Sequence, residues 1–312
     1  MKKLFLFVFF NILPLLAFSN QQETQFTPWY TGPLISTGQN NISPGSFTAE
    51  PYLYYTITYD KSVPKTFSFI NQLLMQGALT DWLDITGEVT YIYNEKEDQH
   101  FQQFADTIIS LGIQLLKEER SNSKPSVRLK IYESFPTGDF DDLDPSKLGI
   151  DATGTGSYQT TFDVIIGKTS YWITNHPIDW KFSTSYTIST DTNVNNFHRF
   201  GGGFGTTGKI HPGNIFIEDI AFEFSFTQRW VYAMDIIYTY AAKTSFKGIA
   251  GIDILGNLAQ NTSLPSKQMA LAPALEYNFT DNLGIIGGVF FSVWQKNSLK
   301  FISGIISVAY TF

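Results

Sequence analysis

The sequence predicts an all-β protein, a transmembrane, antiparallel, up-and-down β-barrel of about twelve strands preceded by a signal peptide. Three observations carry that prediction. Aromatic residues make up 16% of the 312-residue chain, yet after the first twenty residues no apolar run approaches the ~18–20 residues of a membrane helix. Segments of about ten residues instead carry apolar side chains at every second position, as a wall with one face to lipid and one to a lumen requires. The connections between those segments alternate between short and long, as they do when both chain ends lie in the periplasm.

The chain opens with MKKLFLFVFFNILPLLAFSN: a basic start at Lys2 and Lys3, an apolar run, and small residues at Ala17 and Ser19. This is the pattern of a secretory signal peptide over residues 1–19, too short to span a bilayer as an anchor. Cysteine is absent, so there is no disulfide framework, lipoprotein cysteine or thiolate metal site. The formal net charge of −7 argues against a nucleic-acid partner.

Residues 20–46 come next, with TPWYTGP and ISPG placing Trp29 and Tyr30 among turn formers. Two readings stand: a plug, Trp29 and Tyr30 within it, that enters the lumen from the periplasm and gates it, or a flexible periplasmic leader. The barrel then occupies residues 47–312. Strands are expected to start near Phe47, Thr66, Leu83, Ala105, Ser126, Ser157, Pro177, Gly213, Trp230, Lys267, Leu283 and Phe301. The last is the clearest: Ile306, Val308, Tyr310 and Phe312 share one face, and Ser307, Ala309 and Thr311 the other. In WVYAMDIIYTY, likewise, Trp230, Tyr232, Met234, Ile236 and Tyr238 oppose Asp235 and Thr239. A helix would not set charges at period two. Pro51 and Pro273 fall inside strands, where each removes a ladder bond, so a bulge or break is expected there.

LTDWL, FTQRW and FTDNL read as one repeated tight turn, with Thr80, Thr227 and Thr280 equivalent; Thr and Asp suit turns because their side chains bond nearby backbone. All three turns fall at even connections, which face the periplasm, while the long connections 137–156, 191–212 and 243–266 fall at odd ones, outside the cell. That placement disposes of an apparent nucleotide motif. GGGFGTTGKI fits G-x-G-x-x-G and most of a P-loop, but no helix pattern follows it and Ile210 stands where a P-loop needs a hydroxyl. It reads as a flexible glycine loop at the barrel mouth, and no nucleotide or other cofactor is expected.

The run SVRLKIYESFPTGDFDDLDPSKLGIDATGTGSY resembles the family named for the meta-pathway of phenol degradation. LTDWLDI and LAPALEYNFTDNLG are similar to it too, and the likeness extends over most of the chain from about Phe47. The family is regarded as one of outer-membrane transporters of Gram-negative bacteria. The resemblance therefore implies a barrel in the outer membrane, with lipid and lipopolysaccharide around it, and passage of small hydrophobic or aromatic solutes. It brings no catalytic motif. The strand ending at Phe312 is also similar to the signal read by the outer-membrane assembly machinery.

Period two puts Glu50, Asp84, Glu88, Asp106, Asp163, Asp219, Glu223, Asp235 and Glu276 on the lumen face, with Arg128, Lys130 and Lys181. A lysine or arginine on the lipid face would cost about 2–4 kcal/mol at mid-depth, so inward placement is required. Either these residues line an acidic pore that favours cations and neutral solutes, or they form a polar network that fills the lumen. Trp82, Trp180 and Trp230 are expected in an aromatic girdle at the periplasmic interface.

Outside the barrel, Asp139, Asp141, Asp142 and Asp144 cluster without EF-hand spacing and read as a solvated loop, not a calcium site. His100, His176, His198 and His211 all fall in expected connections, without zinc spacing, and no metal is expected. No G-x-S-x-G is present; Ser121–Lys124 fits S-x-x-K but lacks companion motifs. The expected role is passive passage rather than catalysis. A surface adhesin or receptor built on the long outer loops, or a hydrolase with a loop serine beside His198 or His211, are the alternatives.

Overall fold

The computed structural model describes residues 28–60, 63–119 and 124–312. The signal segment, residues 20–27 and most of the S-x-x-K stretch lie outside the described residues. Among the described residues sixteen strands follow in chain order: β1 (Phe47–Asp60), β2 (Val63–Thr80), β3 (Leu83–Lys96), β4 (Gln99–Phe104), β5 (Thr107–Leu116), β6 (Ser126–Phe135), β7 (Gln159–Ser170) and β8 (Ile178–Ser189). After these come β9 (Thr192–His198), β10 (Gly201–His211), β11 (Ile215–Ser225), β12 (Trp230–Ala241), β13 (Ser245–Ile249), β14 (Ser266–Asn278), β15 (Leu283–Lys296) and β16 (Lys300–Thr311).

Twelve of them close into one antiparallel ring, β1-β2-β3-β5-β6-β7-β8-β11-β12-β14-β15-β16, with β16 returning to β1. The closing pair runs from Thr48↔Thr311 to Tyr59↔Lys300. Closure leaves no open edge, the condition for a sheet to stand in lipid. Alternation is visible along every wall strand. In β12, Trp230 is exposed while Val231, Ala233 and Asp235 are buried; in β16, Ile306, Val308 and Tyr310 face out while Ser303, Ile305 and Ser307 face in.

The short connections at residues 81–82, 226–229 and 279–282 lie at the end that holds Phe312, and the repeated threonine acts in two of them on the backbone. Thr80 Oγ1 accepts from the Trp82 N–H at 3.3 Å, and Thr227 Oγ1 from the Arg229 and Trp230 N–H groups at 3.2 and 3.0 Å. The prolines do interrupt the ladder, each on one side only. Pro51 pairs with Leu73 of β2, but pairing with β16 lapses between Ala49 and Tyr52; Pro273 pairs with Met234 of β12, but pairing with β15 lapses between Leu271 and Ala274. Neither lapse shifts the register. Gly288 lies at the second, and a Cβ there would stand 2.5 Å from the Pro273 carbonyl.

Two features differ from the sequence expectation. The fourth strand begins earlier and is split: β4 pairs with the outer end of β3, and the strand breaks at Ala105–Asp106 before β5 pairs with the rest of β3. The glycine stretch is not a flexible loop. Gly201–His211 is β10, the centre of a three-stranded sheet with β9 and β13 beyond the loop end of the barrel. Its glycines serve close packing: a Cβ at Gly203 would meet the Ile252 carbonyl at 2.2 Å, and one at Gly208 the Lys247 carbonyl at 2.6 Å. His100, His198 and His211 consequently lie on strands, not in connections; His176 stays in a turn.

Candidate functional site in the lumen

Residues 28–46 run inside the barrel before the chain enters β1. The segment starts at the turn end, where the Trp29 N–H donates to the Gln228 carbonyl at 3.1 Å and the Arg229 guanidinium stands over the Trp29 ring. Asn278 Nδ2 donates to the Trp29 carbonyl at 3.0 Å, and Ser225 Oγ to the Tyr30 hydroxyl at 3.0 Å. The Thr31 N–H then reaches the Glu276 carboxylate, and the Ser36 N–H donates to Asp235 Oδ1 at 3.0 Å. Asp235 lies midway along β12, opposite Ala221 and Ala272. Between these contacts Leu34, 1% exposed, packs on Ala233, Ala272, Ala274, Ile286 and Ile305. An apolar patch on the inner wall of a barrel is unusual, and Leu34 covers it.

The segment then takes partners from β5, β6 and β8. Thr37 shares a hydrogen bond with the Tyr132 hydroxyl at 3.0 Å, and Arg128 donates to the Gly38 carbonyl at 2.7 Å. Gln39 Nε2 donates to Asp179 Oδ1 at 2.8 Å, while Ser126 Oγ donates to the Gln39 carbonyl at 2.7 Å. The Asn41 N–H donates to Gln114 Oε1 at 2.8 Å. Three inward glycines make room: a Cβ at Gly167 would lie 1.4 Å from Gln39 Oε1, one at Gly284 2.1 Å from Thr31 Oγ1, and one at Gly112 within 2.7 Å of the Asp84 and Arg128 side chains.

The charged side chains fall into two groups. Arg128 and Asp84, each no more than 1% exposed, pair at 2.5 Å, and the guanidinium spends its other arm on the segment. On the far wall Lys181 pairs with Glu223 and stands 3.7 Å from Asp179. Asp219, Asp235 and Glu276 are buried around that pair, and each keeps one carboxylate oxygen without a hydrogen-bond partner among the described residues. Glu50, Glu88, Lys130 and Asp163 share the same inner face: Tyr52 donates to Glu50, and Gln72 to Glu88. Asp106 sits apart, in the break between β4 and β5, where it accepts from the Gly138 and Thr155 N–H groups and so holds the outer loop instead of standing along the wall. Asp179, Gln39, Gln114 and the inward tyrosines Tyr52, Tyr54 and Tyr132 were not singled out from sequence. Asp179 shares its parity with Lys181, so the period-two rule would have found it.

The segment leaves empty space beside it. A cavity of about 360 Å³ opens at the turn end beside Thr48, Glu50 and Asn282. A second of about 280 Å³ lies deeper, against Tyr54, Thr86, Glu88 and Ile108. Both are lined by Ile35, Thr37, Tyr52, Leu74 and Lys130.

At the loop end the aspartates do not converge. The Asp142 and Leu143 N–H groups donate to the Asn195 and Phe197 carbonyls of β9, and Asp141 and Asp142 accept from the Asn195 and Asn196 amides. Asp144 caps a short 3-10 turn at Pro145–Lys147. His198 accepts at Nδ1 from the Phe200 N–H at 3.2 Å and meets Asn261 Oδ1 through Nε2 at 2.8 Å; burial holds its pKa below the ordinary 6.5. His211 lies 2.6 Å from Asp191, a hydrogen bond that holds the Asp191 carboxyl below its usual range. Neither histidine bonds a serine among the described residues.

A family model described as "Putative MetA-pathway of phenol degradation" matches residues 32–304. The chain belongs to this family. No curated protein sequence matches it. Among solved structures, this family member is similar to an outer membrane channel from Pseudomonas putida F1, with TM-score 0.67 and 11% identity over 89% of this chain and 100% of that one. At that identity the likeness concerns the fold. A further likeness is to the translocator domain of the autotransporter NalP from Neisseria meningitidis, with TM-score 0.46 and 8% identity over 87% of this chain and 90% of that one. The NanC porin matches with TM-score 0.47 and 9% identity, over 84% and 98%. The meta-pathway family member has the fold of the outer membrane channel from Pseudomonas putida F1, a closed β-barrel, and residues 28–46 occupy much of its lumen.

Proposed function

We propose that this barrel is an outer-membrane channel for passive diffusion of small solutes, hydrophobic or aromatic ones among them, and that the N-terminal segment is its plug. The observation that carries the reading is the pair of cavities beside the segment: the lumen is neither empty nor packed to the density of a protein core. The family's name and the channel from Pseudomonas putida F1 support the same class. Trp29 and Tyr30 anchor the plug at the periplasmic mouth, and Gln39 to Asn41 lock its return. The predicted lumen residues other than Asp106 make the inner wall acidic, with the excess of carboxylates on the side of β11, β12 and β14. This wall favours cations and neutral solutes over anions. The C-terminal strand ending at Phe312 is the element we assign to recognition by the assembly machinery, and the apolar outer face is the lipid contact.

The test is the conductance of the refolded mature chain in a planar bilayer, with and without residues 20–45. Small ohmic steps from the intact chain that grow several-fold on deletion support both channel and plug. Silence from both forms sinks the channel. A surface receptor is the second reading, favoured by the ordered outer sheet and by the exposed Ile254, Leu255 and Leu258 in the connection that follows β13. Silence in the bilayer would move the function there.

A further inference from the structure

Lys130 stands apart from the other buried cations. Arg128, Lys168 and Lys181 each have a carboxylate within 4.0 Å: Asp84, Glu118 and Glu223. Lys130, 4% exposed, has neither a carboxylate at that distance nor a hydrogen bond among the described residues; its ammonium lies 4.9 Å from the centre of the Tyr132 ring. Asp84, Glu88 and Asp163 surround it at longer range. An ammonium offers three donors and no acceptor, and a buried polar group without a partner is costly. Thr86, which lines the deeper cavity, also has a hydroxyl without a partner.

Lys130 lines both cavities and Thr86 the deeper one, whose wall sets Ile35, Tyr52, Tyr54 and Ile108 beside the polar Gln72 and Glu88. The tyrosine hydroxyls are already used, Tyr52 on Glu50, Tyr54 on Gln72 and Tyr132 with Thr37. A space of about 280 Å³ holds a single six-membered ring with a short substituent.

We propose that the junction at Lys130 is a solute-binding site on a passage that runs beside the seated N-terminal segment. Its ligands are small ring compounds that carry an oxygen acceptor, a carbonyl or a carboxylate. The ring lies against Tyr52, Tyr54 and Ile35, and the oxygen accepts from Lys130 and Thr86. Lys130 is then the selectivity residue of a lumen that elsewhere favours cations. The inference rests on the channel reading but is tested apart from it, by binding instead of passage.

The experiment is equilibrium dialysis of the intact mature chain in detergent against acetophenone, benzoate and toluene, with Lys130→Met, Lys130→Arg and Thr86→Val. Acetophenone, benzoate or both should bind the unaltered chain, and Lys130→Met should weaken that binding about tenfold or more, the loss of one charge-assisted hydrogen bond. Lys130→Arg should restore most of it. Toluene binding should not change. Thr86→Val should cost a smaller factor and keeps the test valid if Lys130→Met fails to fold. Acetophenone binding without benzoate would mean that Glu88 and Asp163 exclude the charged form, and the site stands for neutral acceptors. Unaltered binding in both Lys130→Met and Thr86→Val, or no binding of either acceptor to a chain that conducts, overturns the site and leaves the channel. Lys130-dependent binding by a chain silent in the bilayer keeps the site and overturns the channel.

Discussion

Both ends of the barrel are covered, and they are covered by different means. At the loop end, β9, β10 and β13 hold one another through backbone pairing, and the glycines of β10 let neighbouring carbonyls approach. At the turn end, residues 28–46 make few backbone bonds with the wall, those of Trp29 and Gly45 among them, and are gripped by wall side chains: Glu276, Asp235, Arg128, Asp179, Gln114 and Ser126. A backbone ladder is part of the fold and cannot be lifted off without unfolding. A segment held by side chains is a ligand of the barrel that happens to be covalently attached. The contrast predicts that the inner cover can be removed and the outer one cannot.

The largest effect should come from removal itself. Deletion of residues 20–45 should leave a barrel with unchanged heat-modifiable mobility and a several-fold larger single-channel conductance; deletion of 192–211 should prevent recovery of folded protein. If the first deletion also abolishes folding, the contrast is lost. Next is Asp84→Asn, which leaves the Arg128 guanidinium buried without its counter-charge and should cost about 3–5 kcal/mol in denaturant unfolding. Gly167→Val acts on the segment alone. Its side chain would occupy the place of the Gln39 amide and break the bond to Asp179, a loss of about 1.5–3 kcal/mol for a hydrogen bond to a charged group. Protease cutting within 28–46 should rise while the barrel stays intact; equal resistance would show that Gln39 is not part of the lock.

The smallest effect is a pH dependence at the outer cover. His198 has a folded pKa below its unfolded one, so its contribution is complete above about pH 6.5 and is lost as pH falls through the folded value. Protonation sets an Nδ1–H against the Phe200 N–H that now donates to it; Asp141 nearby opposes the shift without cancelling it. Protection factors of the Phe200 and Gly202 amides should fall below about pH 6.5. A response confined to the inner segment would reverse the assignment.

The wall was readable because it obeys one rule. Lipid on one side and a lumen on the other impose period two on every strand, and the charges cannot violate it without the cost of burial in hydrocarbon. Asp235, Glu276 and Arg128 could be assigned to the inner face from parity alone. The covers obey no such rule. Gln39 and Thr31 bind the wall through single side chains and irregular backbone, with no repeat to detect. GGGFGTTGKI carries the composition of a loop because its strand needs close approach more than side chains. Asp106 fits the parity of β5 yet binds loop backbone, since parity fixes a face and says nothing of where the strand ends. Tyr52 and Lys130 could be placed inward, but that they border empty space depends on where Ile35 sits, which no local pattern encodes.

The seam between β1 and β16 has a consequence for the order of events in biogenesis. Thr48 and Thr311, whose hydroxyls bond across it, are 263 residues apart in the chain. The segment just before β1 takes most of its hydrogen-bond partners from β5 through β14, strands synthesised later. It therefore cannot be seated before those strands are arrayed, and it is tied to the strand that must close last. Seating gives hydrogen-bond partners to side chains that would otherwise face one another bare in the forming lumen. The nascent chain thus carries at its front an intramolecular mould for its own interior, and a variant without the mould should zip its seam more slowly even where the finished barrel is equally stable.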